Sequence, residues 1–487
     1  MYLRKNQQQD LCKTAQWYQF DRNLNPENRW VRLAEIIPWD SFEKEYAKQF
    51  SEKSRHTAHP VRMGLGTLII QRMMDLSDRK TIEAIVESPY LQYFIGLERF
   101  EFELPFSYSM LSKWRDRIDL GMIMGLIEEI GRPGENSNTA GKKSDDERKG
   151  DNKGELIIDA TCVPSDIRYP KDTDLLNEGR EKQEKIIDIM YAGSSERKKK
   201  PRTYRKTARK KYLMFAKNRN PSQRAIRNAI KAQIGYVRRN FKTIDQMLEK
   251  EPGLIELLSE KQKRELETTR LVYQQQEEMY RAKKHNVENR IVSISQPYIR
   301  PIVRGKAKNK TEFGAKISIS VIDGYSYLDR VQFDSYNESE DLWSQIEAYK
   351  LRTGHYPEAV LADQIYRTKE NRRKCAELGI RLSGPKLGRK QVNQEKAERK
   401  IAQMDSRKRN AVEGKFGEGK RFYGMDCIKG KTEHTCKVMI ALYFVVLNLA
   451  KRLRDFLSQF LDWILILCKF NIFINFGRKN GAIPQLA

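Results

Sequence analysis

Residues 155–163 read ELIIDATCV, a short apolar run of strand type with the carboxylate of Asp159 placed near its end. The preceding stretch, residues 131–154 (GRPGENSNTAGKKSDDERKGDNKG), is rich in Gly, Ser, Asn and charge and nearly free of apolar side chains, as a linker is. The strand therefore opens a new unit, and the order of the elements after it decides the fold.

The next strands do not come at once. Residues 192–289 are highly charged and helical in pattern, opening with the basic tract SERKKKPRTYRKTARKKY (195–212) and continuing into SEKQKRELETTRLVYQQQEEMYRAKKH (259–285), which suits a long amphipathic helix or a helical hairpin. Strand signals return at 291–295, 315–322 and 325–333, the last two joined by the Asp323-Gly324 pair of a tight hairpin. Then come a helix (340–352), a strand (359–363), a helix (368–378), a strand (380–383) and helices at 410–418 and 436–460. With residues 171–290 set aside as a helical insertion, the alternation predicts a mixed α/β sheet covered by helices, formed by 155–170 and 291–460. Residues 461–487 form a C-terminal tail.

Upstream, residues 1–130 predict a small helical domain, with helices at 62–74, 78–87 and 107–118 separated by tight turns. Such a cluster either reads DNA ends as a helix-turn-helix or only packs. The chain of 487 residues carries 92 Lys and Arg against 65 Asp and Glu, a net charge of +27. A field of that sign calls for a polyanionic partner, nucleic acid before a membrane surface. Membrane insertion is not expected, because the N-terminus has no apolar core and the apolar run 438–450 is too short to span and reads as a buried helix. Six scattered cysteines without CxxC pairs and only five histidines argue against a structural zinc site and fit a reducing cytoplasm.

Three carboxylates suggest chemistry. Asp159 and Asp363 fall at the ends of buried-looking strands, where a carboxylate without a positive partner is costly. Hard oxygen ligands of this kind suit Mg²⁺ or Mn²⁺. Glu413 follows on a helix, with Arg409 at i−4 and Lys420 at i+7 on the same face. Two metals roughly 4 Å apart, flanked by cations that hold a strand, are what phosphodiester chemistry needs. Taken singly, each residue also has an ordinary reading, as a cap, a turn former or part of a solvated face.

Four stretches, 76–118, 300–330, 355–389 and 407–424 (RKRNAVEGKFGEGKRFYG), resemble the DDE transposases of bacterial insertion sequences, and within them the family commonly numbered five. The resemblance implies an RNase-H-like core in which Asp159, Asp363 and Glu413 bind two Mg²⁺ (or Mn²⁺). It implies cleavage at terminal inverted repeats and strand transfer into target DNA, with Arg409 and Lys420 against the cut strand. Two departures stand out. Ser406 occupies the place of a Tyr expected three before Arg409, and Asp363 is followed by Gln364 and Ile365 rather than Gly, although Tyr366 keeps its position.

Acting on two ends implies a homodimer on double-stranded DNA, in a cytoplasmic, nucleoid-associated bacterial protein without membrane contact. The basic tract (Arg197, Lys198, Lys199, Lys200, Arg205, Lys206, Arg209, Lys210 and Lys211) is read as a set of phosphate contacts. Rival readings are an RNase-H-like metal-dependent nuclease that cuts without joining, and a catalytically inactive DNA-binding relative.

Overall fold

The computed structural model describes residues 20, 24–50, 58–132, 152–195, 199–303, 311–384 and 395–479. Most of the linker, together with Arg197 and Lys198, lies outside them, as do all side chains of the C-terminal tail.

The run that opens at Glu155 forms strand β1 (Glu155–Pro164), which continues five residues beyond Asp159, so this aspartate sits mid-strand and not at an end. β3 (Thr311–Ile322) pairs antiparallel with it, placing Asp159 opposite Ile319. A hairpin joins β3 to β4 (Tyr325–Gln332) through Asp323 and Gly324, both at positive φ (51° and 82°), the conformation for which Asp-Gly is suited. On the other side of β1 lie β5 (Ala359–Leu361) and β6 (Arg381–Leu382), both parallel to their neighbours. The order β4-β3-β1-β5-β6 thus has one reversed strand, β3. A short β2 (Arg300–Val303) shares the β4 edge of β3.

The chain is mixed α/β as expected, with one strand misplaced. Residues 291–295 are not in the sheet. Ile291 and Ile294 pack with Leu175 and Val272 of the helical insertion, and the strand forms at 300–303 instead. Burial consumed the apolar pattern without any strand pairing.

Among the described residues, seven helices precede the sheet: α1 (Arg29–Ile36), α2 (Trp39–Ala47), α3 (Val61–Met73), α4 (Asp78–Glu87), α5 (Pro89–Phe94), α6 (Ser109–Arg117) and α7 (Leu120–Gly131). They share one apolar core with the sheet, and the last helix, α15 (Glu433–Lys479), runs through that core. Residues 438–447 of α15 are buried on every side, which is why this stretch is apolar all round. The structure supports the buried-helix reading, and among the described residues no helix is long and apolar enough to cross a membrane. Asn448, fully buried, fixes α15 to the sheet: its Oδ1 accepts from Ser326 N–H at 2.8 Å and its Nδ2 donates to the Ser326 carbonyl at 2.9 Å.

Between β1 and β2 stand α8 (Asp172–Gly193), α9 (Arg205–Ala216), α10 (Gln223–Lys250) and α11 (Glu260–Ala282), built on a separate apolar core that includes Ile187, Val237, Phe241 and Leu266. After β4 come α12 (Asp341–Thr353), α13 (Lys369–Glu377) and α14 (Glu395–Phe422).

Gly314 allows β1 and β3 to approach closely. A Cβ there would lie 2.1 Å from the Val163 carbonyl oxygen and 2.8 Å from Pro164 Cα, both backbone atoms that cannot swing aside. Gly314→Ala is expected to destabilise the fold by about 1–3 kcal/mol, read as a lower urea midpoint. An unchanged midpoint would show that the strands have room to spare.

Candidate active site

Along β1, the half-buried Ile157 and Asp159 alternate with the buried Leu156, Ile158 and Ala160, so the fold presents Asp159 from the middle of a rigid strand. Its Oδ1 accepts the Ala160 N–H at 2.8 Å. Burial pushes its carboxyl up to about 6. The Ala160 N–H and the Arg409 guanidinium pull it down, while the charges of Glu338 and Asp363 push it further up.

Asp363 stands two residues past β5, where it caps the short helical turn Gln364–Tyr366 by accepting the Gln364 N–H at 2.7 Å. It is exposed, and Arg409 Nη1 lies 3.5 Å from its Oδ1. Tyr366 is wholly buried, which makes it a packing residue.

α14 carries the third element, and three ion pairs set its register over the sheet. Arg381 of β6 donates to Asp405 at 2.6 and 3.1 Å, Lys408 reaches Glu155 of β1 at 2.6 Å, and Arg409 meets Asp363. Val412 is buried beneath the helix and Glu413 is exposed one turn after Arg409. Lys420 lies in the last turn of the same helix.

The structure therefore pairs Asp363 with Arg409, whose charge also acts on Asp159, and places Glu413 on the adjacent turn. It does not gather the three carboxylates: among the described residues, no three His, Cys, Asp or Glu side chains stand close enough to hold a metal ion together.

A fourth carboxylate escaped the sequence reading. Glu338, on the helical turn Glu338–Glu340 before α12, raises both Asp159 and the Tyr366 hydroxyl by its charge, and it is paired with Lys316 of β3 at 2.9 Å. No motif spacing marks it, since the fold alone turns residues 338–340 toward β1. Within the basic tract, Lys200 and Arg205 both bind Asp188 of α8, at 2.9 and 2.7 Å.

Comparison with known families bears directly on this arrangement. The family model described as Transposase DDE domain matches residues 360–450, spanning Asp363, Arg409, Glu413 and Lys420, and the one described as Transposase domain (DUF772) matches residues 18–117. The chain belongs to the DDE transposases of insertion sequences. An uncharacterized protein of Rhizobium meliloti, ORF8 in the nfe locus, is 30% identical over 155 residues, covering 32% of this transposase and 70% of that protein. No solved structure matches the chain. Membership carries DNA as the partner and dependence on divalent metal with it. Asp159 lies outside both matched segments.

Proposed function

We propose that this transposase cleaves DNA at the terminal inverted repeats of its element and joins the freed 3′-hydroxyls to target DNA, using Asp159, Asp363 and Glu413 as its metal-binding carboxylates. The observation that carries the reading is that Arg409 pairs with Asp363 and its charge also acts on Asp159, the two aspartates coming from adjacent parallel strands, with Glu413 one turn further along the same helix. The sheet order, with only the second strand of the five reversed, supports an RNase-H-like core.

The donor set fits hard divalent cations. Asp159 is half-buried beside the charges of Glu338 and Asp363, and the cations near them are Lys316 on Glu338 and Arg409 on Asp363, so three carboxylates face two cations. Asp159, Asp363 and Glu413 would be the residues that hold the ions. Bound Mg²⁺ or Mn²⁺ would supply activation of the attacking oxygen and stabilisation of the leaving one. Arg409 holds Asp363 in place and, with Lys420 at the end of the same helix, offers positive charge to the scissile strand. Residues 1–130 would bind the DNA ends, and action on two ends would require a homodimer on DNA.

The test is a duplex carrying the DNA that flanks the coding region, incubated with the full-length protein and Mg²⁺. Cleavage at the repeat ends is expected, together with transfer of pre-cut ends into a second duplex. Asp363→Ala and Glu413→Ala should each slow cleavage by about a thousand-fold, the equivalent of several kcal/mol of charge stabilisation. Cleavage that survives either substitution refutes the site, and cleavage without joining makes the protein a nuclease.

A further inference from the structure

Residues 199–242 contain sixteen Lys and Arg and neither Asp nor Glu. The structure divides these cations into two groups. Some are used internally: Lys200 and Arg205 neutralise Asp188, which they hold below the usual carboxylate range, Arg238 pairs with Glu277, and Arg239 lies over the Tyr204 ring at 4.5 Å. Others face outward. On α9 the inner side is Ala208, fully buried, and Tyr212, whose hydroxyl donates to Asp174 at 3.0 Å. Lys206, Arg209, Lys210 and Lys211 project from the remaining faces of that helix, and Lys217 and Arg219 extend the group through the turn into α10. All six are exposed and have no ion pair among the described residues.

We infer that the outer face of α9 and the turn after it form a second DNA-binding surface, separate from the acid site, which grips the phosphate backbone of duplex DNA without reading its sequence. Three features carry this. The face holds six cations and no anion, whereas a solvated helix face usually mixes signs. It rests on a helical module with its own apolar core, anchored by the Arg205–Asp188 pair, so the charges are displayed on a fixed scaffold and not on a loose tail. α9 has 12 residues, about 18 Å of helix, and duplex DNA presents about one phosphate charge per 1.7 Å of axis, so the face meets several phosphates at once. Contacts of this kind position DNA but carry no sequence information, which suits target or flanking DNA better than the inverted repeats.

The inference rests on the transposase reading only in taking DNA as the polyanion. Its test is the affinity of the full-length protein for a duplex of unrelated sequence across a salt series in EDTA, where no cleavage contributes. The triple variant Lys206→Glu, Lys210→Glu, Lys211→Glu should bind about a hundred-fold or more weakly at low salt. Its log–log salt slope should fall by about 2–3, since each phosphate contact contributes about 0.9. The matching Lys→Gln variant should lose less affinity and the same slope, and both should keep the wild-type circular dichroism and melting temperature. An unchanged slope and affinity in the Glu variant would overturn the inference, leaving an acidic protein surface as the occupant of this face. A wild-type protein that binds with this salt dependence but does not cleave in Mg²⁺ would count against the acid site and not against this surface.

Discussion

Asp159→Asn is expected to slow DNA cleavage by about a thousand-fold or more while making the metal-free protein more stable at about pH 8. The opposition follows from where the carboxylate sits. Burial on β1 and the charges of Glu338 and Asp363 hold its carboxyl at about 6, against about 3.9 in an unfolded chain. Below about pH 4 the group is neutral in both states and costs nothing. Between about pH 4 and 6 the unfolded chain gives up a proton that the folded protein retains, so stability falls as pH rises. Above the folded value the whole penalty is present, about 1–2 kcal/mol once partial solvent screening is allowed for. Asparagine keeps the shape and removes the charge, so the melting temperature in EDTA should rise at about pH 8 and not at about pH 4. Saturating Mg²⁺ should raise the melting temperature of the wild type at the higher pH and leave that of the variant nearly unchanged. Equal stability of the two proteins at both pH values would show that Asp159 is better solvated than its place in the sheet implies.

The second large effect is structural. Arg352, near the end of α12, donates to both carboxylate oxygens of Glu128 on α7, at 2.7 and 3.0 Å, and to Asp329 on β4 at 3.1 Å, and its guanidinium lies 4.2 Å from the centre of the Tyr327 ring. It thereby links the N-terminal helices to the sheet. Asp329 is almost completely buried, and burial holds its carboxyl above the usual range even with Arg352, Ser320 and Gln345 as partners. Arg352→Met should cost about 3–5 kcal/mol in urea unfolding, because it strands a buried carboxylate. The deficit should shrink at low pH, where Asp329 takes up a proton. Adding Asp329→Asn should recover part of the loss, giving a coupling of about 1 kcal/mol or more in a double-mutant cycle. A loss under about 1 kcal/mol, or no recovery in the double variant, would mean that water already compensates the pair.

Sequence reading succeeded where local pattern and burial agree. The Asp323-Gly324 hairpin was legible because only a few residue pairs accept two successive positive φ angles. The apolar run 438–447 was legible because a helix without a polar face has nowhere to go but inside. Reading failed where a pattern had two possible partners: residues 291–295 have strand-like composition but bury their apolar side chains against α8 and α11. It also failed at Glu338, because one carboxylate of the acidic group Glu338, Glu340 and Asp341 has no signature until the fold sets its charge near Asp159.

By itself the sequence determined the alternation of strands and helices, the long basic insertion and the identity of the candidate carboxylates, since these rest on residue type and short spacings. Tertiary structure alone decided that Asp159 lies mid-strand, that Arg409 meets an aspartate 46 positions away, and that Arg205 serves as a strut while Lys206 and its neighbours face solvent. The physical reason is that burial and charge compensation depend on which distant segments meet, and every Lys or Asp looks alike until the fold gives it a neighbour.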